Sequence, residues 1–171
     1  VVAGISVGCL AVLVGASLGV NASRTGAAVH PTVAANHLVR QGSTDAVAAF
    51  ARIEHDGQPP LNLLQDLSVP RSATAVSWLN YDGDYGAYDR AVVFKVPAST
   101  TSIYDYYLYE LPRHHWSVTS DAPPFGAKGE EVLATFPEPT YYWEVGVSIV
   151  SDGSAHESLV RIEVQQIYGG G

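Results

Sequence analysis

The chain has 171 residues, enough for one domain plus extensions. Seventeen acidic residues face nine basic ones, a net charge of −8, and the bases are scattered. Nucleic-acid binding is therefore excluded as an expectation, because phosphate contacts need clustered Lys and Arg. A single cysteine, Cys9, excludes an internal disulfide.

Residues 1–22 carry no charge and are almost wholly apolar or small. About 20 such residues suffice to cross a bilayer as a helix. The segment is read as a transmembrane anchor, and Gly4/Gly8 and Gly15/Gly19 have the spacing that permits close helix packing. Two other fates are compatible with the residues. Val20-Asn21-Ala22 resembles a signal-peptide cleavage site. Ser6-Val7-Gly8-Cys9 loosely resembles a lipobox. All three place the rest of the chain outside the cytoplasm, on a single-pass anchor or secreted after cleavage.

Residues 23–60 read as a linker rich in Ala, Gly, Ser and Thr. Within it a short helix is expected over 44–55, capped by Ser43 or Thr44 and stopped at Gly57. Residues 61–171 read as the globular domain. A turn of helix is expected at 61–67, then a strand at 73–79 with Val76 and Trp78 on one face. The 80–89 stretch is turn-rich. Residues 90–96 alternate cleanly, with Val92, Phe94 and Val96 on one side.

Ser99, Thr100 or Thr101 caps a predicted helix to about Leu111, with Ile103, Tyr107 and Leu111 on its buried face. Asp105, Tyr106, Tyr109 and Glu110 are expected to point away. Strands follow at 115–120, 130–136, 141–150 and 158–167, the last two joined at Asp152-Gly153. The order β-β-α-β-β-β-β predicts an α+β fold, a two-layer sandwich of an antiparallel sheet and one main helix. Glu144, Ser148, Arg161, Glu163 and Gln165 fall on the other sheet face, which is expected to be wet or open to a partner.

Tyr88-Asp89-Arg90, Val96-Pro97, Glu110-Leu111-Pro112, Trp116, the run 131–134 (EVLA) and the run 141–147 (YYWEVGV) together resemble a group of actinobacterial membrane-anchored extracytoplasmic proteins. The likeness extends from about Pro59 to the end. That group carries a signature of the form FYxxELPxxGW; here Tyr106 stands for the Phe and His115 for the Gly. The resemblance implies an address and a fold. It implies no catalytic residue.

Candidate chemistry is sparse. His114 and His115 are adjacent, so on a strand they diverge and do not chelate one metal. Asp82, Asp84 and Asp89 lack the spacing of a calcium loop. Glu130 and Glu131 would diverge on a strand. No nucleophile elbow, phosphate loop or dinucleotide fingerprint occurs. No catalytic residue, cofactor or metal is expected.

Ten tyrosines, all after position 80, are the most unusual feature. Tyr81, Tyr85, Tyr88, Tyr106 and Tyr109 are the candidate binding surface, because tyrosine offers a large area with a polar tip. The sequence thus points to a non-enzymatic binding or assembly module whose partner is a protein or an envelope polymer. An envelope hydrolase and an accessory subunit of a membrane complex are the alternatives.

Overall fold

The computed structural model describes residues 32–51, 61–81, 88–120, 129–137 and 141–168. The fold is α+β. Six antiparallel strands make the main sheet: β3 (Thr74–Asn80), β4 (Asp89–Val96), β5 (Ser117–Ser120), β6 (Glu130–Pro137), β7 (Tyr141–Ser154) and β8 (Glu157–Tyr168). Their spatial order is β3-β4-β8-β7-β6-β5. The helix α4 (Thr100–Arg113) lies between β4 and β5 in the chain. The expected order β-β-α-β-β-β-β is therefore present in this part of the chain. Further elements precede it: α1 (Val33–Gln41), β1 (Ser43–Asp45), α2 (Val47–Phe50), α3 (Leu61–Gln65) and β2 (Ser68–Pro70).

Alternation builds the inner face of the sheet. Val92, Phe94 and Val96 of β4, Val145, Val147 and Ile149 of β7, and Val160, Ile162 and Val164 of β8 are all buried. Strand-period side chains of this kind remove one whole face from water. The central helix covers the β5–β7 side of that face, with Ile103, Tyr107 and Leu111 buried. Ser99 caps its start, its Oγ accepting from Ser102 N–H at 3.2 Å.

Its other end differs from expectation. Pro112 stands inside the last turn, His114 N–H bonds back to Glu110 and Leu111 carbonyls, and His115 takes a positive φ of 67°. His114 and His115 thus form the reversal into β5, not the start of a strand. Trp116 is anchored there, its Nε1 donating to the Asp66 carbonyl at 3.0 Å.

The described part of the expected linker is not a tether. Thr32 caps α1 and also donates from Oγ1 to Asp105 Oδ2 at 2.7 Å on α4. Leu38, Ala46 and Phe50 are buried in the common core. In place of a helix over 44–55, β1 pairs antiparallel with β2 and only residues 47–50 are helical; 52–60 lie outside the described residues. Gly42 makes the turn between α1 and β1 at φ +85°, a conformation that costs glycine little.

Two further differences are local. A bulge between Ala75 and Ser77 breaks the expected face of β3. Ala75 pairs with Phe94 and Trp78 with Val92, so both face inward, while Val76 is the extra residue and is exposed. The tight turn of the β7–β8 hairpin is Ala155-His156, not Asp152-Gly153, which lie within an irregularity of β7. Among the described residues no helix is long and apolar enough to cross a membrane; the span expected at 1–22 lies outside them.

Phe50 is a direct test of the docked segment. Phe50→Ala is expected to lower unfolding stability by about 3–5 kcal/mol, as for other large core deletions. Urea denaturation of the full chain measures it, and a loss below about 0.5 kcal/mol would mean the segment is not docked in solution.

Candidate functional site

The helices cover one face of the sheet and leave the other open. Strand register fixes what that open face carries. One cross-strand row runs Asp89, Gln165, Glu144 and Thr135. The next runs Leu79, Ala91, Glu163, Gly146 and Leu133. The third runs Ser77, Val93, Arg161, Ser148 and Glu131. Gly146 has no side chain, so its place in the middle row is a depression. A shallow cleft of about 120 Å³ opens there, walled by Glu131, Glu144, Glu163 and Gln165 among others.

Four carboxylates and one guanidinium therefore share a half-buried surface. Ser148 Oγ donates to Glu131 Oε1 at 3.1 Å. Arg161 pairs with Glu163 at 2.5 Å, and its guanidinium also lies 5.1 Å from the Tyr81 ring centroid. The single cation does not offset the desolvation of its neighbours. Burial, and a hydrogen bond with the Asp89 carboxyl, push Glu163 up to about 7 despite Arg161. Burial, with Glu131 nearby, also raises Glu144 above the usual carboxylate range.

The tyrosines do not assemble into one surface. Tyr81 is exposed at the margin of the acidic face. Tyr88 is buried, because it continues the inward alternation of Arg90 and Val92; its ring stacks edge-on with Trp143 at 5.7 Å. Arg90 is buried beside it, 5.2 Å from the Tyr88 centroid. Tyr106 is also buried, against expectation, because the segment around α1 and β1 covers the helix face that Tyr106 occupies. Burial raises its hydroxyl pKa. Glu110, on the same face, is buried too and lies 3.3 Å from His114 Nε2. Tyr109 stays half-buried and accepts from Arg113 Nη1 at 2.8 Å. Tyr85 lies outside the described residues, as do Asp82 and Asp84.

Sequence reading placed Glu144, Ser148, Arg161, Glu163 and Gln165 on the open face. It missed Asp89, Glu131 and the depression at Gly146. The signal was present in the alternation of β6, where Val132 and Ala134 point inward and so set Glu131 outward. Among the described residues no group of three or more His, Cys, Asp or Glu is arranged to hold a metal ion.

Two measurements follow from this geometry. A carboxyl whose folded pKa lies above its unfolded value binds protons more tightly when folded, so stability falls as pH rises from about 4.5 to about 7. Glu163→Gln is expected to flatten that slope and to gain roughly 1 kcal/mol at pH 8 relative to pH 5, a value reduced for solvent screening. Urea midpoints at the two pH values check it, and an unchanged slope would remove Glu163 as its source. Separately, Tyr106→Ala is expected to cost about 3–5 kcal/mol and Tyr109→Ala under about 1 kcal/mol, by the same denaturation.

No family model, curated protein or solved structure matches the chain.

Proposed function

We propose that the chain is a membrane-anchored extracytoplasmic binding module, non-enzymatic, that receives a cationic segment of a protein partner on the open face of its sheet. The observation that carries this reading is the cleft at Gly146, walled by carboxylates that the fold holds partly out of water, with a single arginine, Arg161, paired to one of them. A carboxylate so placed gains from an incoming ammonium or guanidinium, which replaces lost solvation with charge-assisted hydrogen bonds. Tyr81 at the margin adds an aromatic surface for the same partner. The reading takes its address from the apolar segment 1–22 and from the likeness to actinobacterial anchored proteins. A neighbouring subunit of a membrane complex would supply such a segment, and a cationic envelope polymer is the other outcome.

The test is calorimetric titration of the full chain in nanodiscs with a lysine-rich peptide. Binding that weakens steeply with salt, and by at least about tenfold in Glu144→Gln/Glu163→Gln, is the expected result. An affinity indifferent to that double substitution would overturn the assignment of the face.

One observation favours a second reading. Two neighbouring carboxyls, one held near neutrality, also meet the requirement for general acid–base hydrolysis. Release of fragments from an envelope glycan, abolished by Glu163→Gln, would select an envelope hydrolase instead.

A further inference from the structure

The topology gathers several apolar and weakly polar groups at one end of the sandwich. The end of β4, the start of α4 and the tip of the β7–β8 hairpin meet there, with the start of α1 beside them. A cleft of about 400 Å³ at this end is lined by Ala34, His37, Pro97, Ser99, Ala155 and His156 among others. Val33 is 89 % exposed and Val150 36 % exposed, two of the five large apolar side chains that the described residues leave in solvent. Lys95 at this end pairs with both Asp152 and Glu157, a cluster that keeps one net negative charge.

The chain leaves the domain at the same end. Thr32, the first described residue, is held by Asp105 of α4. Residues 23–31 span at most about 30 Å when fully extended. A domain of this size has a radius of gyration of about 14 Å and measures roughly 35–40 Å across. The connection is thus shorter than the domain it carries, which limits how far the start of α1 can stand from the bilayer.

We infer that this end, formed by the start of α1, the Pro97–Ser99 turn and the β7–β8 tip, rests on the headgroup layer of the bilayer that holds residues 1–22. The inference rests on the anchoring reading above and adds an orientation to it. Val33 and Val150 meet the interface, and the imidazoles of His37 and His156 face the phosphates. The strands then stand up from the membrane, and the acidic sheet face is turned sideways, accessible to a neighbour in the same membrane.

The experiment uses the full chain, methyl-labelled at Val and Leu, in nanodiscs of phosphatidylcholine and phosphatidylglycerol with a nitroxide-headgroup lipid. Relaxation of the Val33 and Val150 methyls is expected to be several-fold faster than that of Leu79 and Val118, which lie farther along the strands from the tip. Uniform or reversed enhancement in disc-bound protein would overturn the orientation while leaving the anchor intact. Protein that does not stay with the discs would overturn the anchoring reading and this one together. Shielding of Val33 and Val150 only when two copies share a disc would assign the end to a second copy, and overturn the proposal.

Discussion

The central helix has to be covered on two sides. Ile103, Tyr107 and Leu111 face the sheet, while Tyr106 and Glu110, a quarter-turn away, are also out of water. A helix seated on a sheet alone would leave that second stripe exposed, including a tyrosine ring. The rings of Tyr106 and Tyr107 meet edge-on at 5.1 Å, so the two faces are packed through one another. The cover is supplied by the segment from Thr32 to Phe50, held by Thr32 on Asp105 and by the β1–β2 ribbon. Trp78 closes the arrangement, its Nε1 donating to the Ala49 carbonyl at 3.0 Å from the edge strand. The core therefore spans both the strands and the residues that precede them.

That dependence explains what was legible in the sequence. The strands were visible because their side chains alternate, as in β4, β7 and β8. The α4 stripe at 103, 107 and 111 was visible because a 3.6-residue period needs no knowledge of partners. The cover was not visible. Its buried residues, Leu38, Ala46 and Phe50, are dispersed among Ala, Gly, Ser and Thr, and no single period links them. Once the cover is missed, Tyr106 is assigned to solvent, since the helix then seems to have only one buried side. The bulge at Val76 and the turn at His115 escaped for another reason. Each is a backbone event that resets the register, and composition does not announce it.

The open face shows the reverse relation. Its residues were readable because alternation sets outward positions as strictly as inward ones. Their energetics were not, because the raised pKa of Glu163 comes first from burial in the folded sheet and then from Asp89, which is distant in sequence and brought close by the β4–β8 pairing. A sheet built only for stability would place lysine or threonine on such a face, where charges of both signs and strand-forming side chains favour folding. Instead Glu144 and Glu163 stand near one another around a glycine. The folded state bears that electrostatic cost at neutral pH, which is the condition under which a cationic group would relieve it.

The two surfaces are also related by geometry. The hairpin tip and the start of α1 lie at one end of the strands, whereas the acidic cleft lies on the sheet's flank, at the middle of β7 and β8. Strand pairing fixes the angle between them, since Ser154 and Glu157 at the tip belong to the same ladder as Gly146 and Glu163. A domain standing on its tip cannot present the acidic flank to its own bilayer. With the tip on the headgroup layer, as inferred above, the flank would face sideways, at a height set by the rise of about 3.4 Å per residue from the tip to Gly146, roughly 25–30 Å above the headgroups. On that orientation a lipid of the same bilayer would not reach the cleft, whereas a cationic segment of a protein that projects from the membrane would.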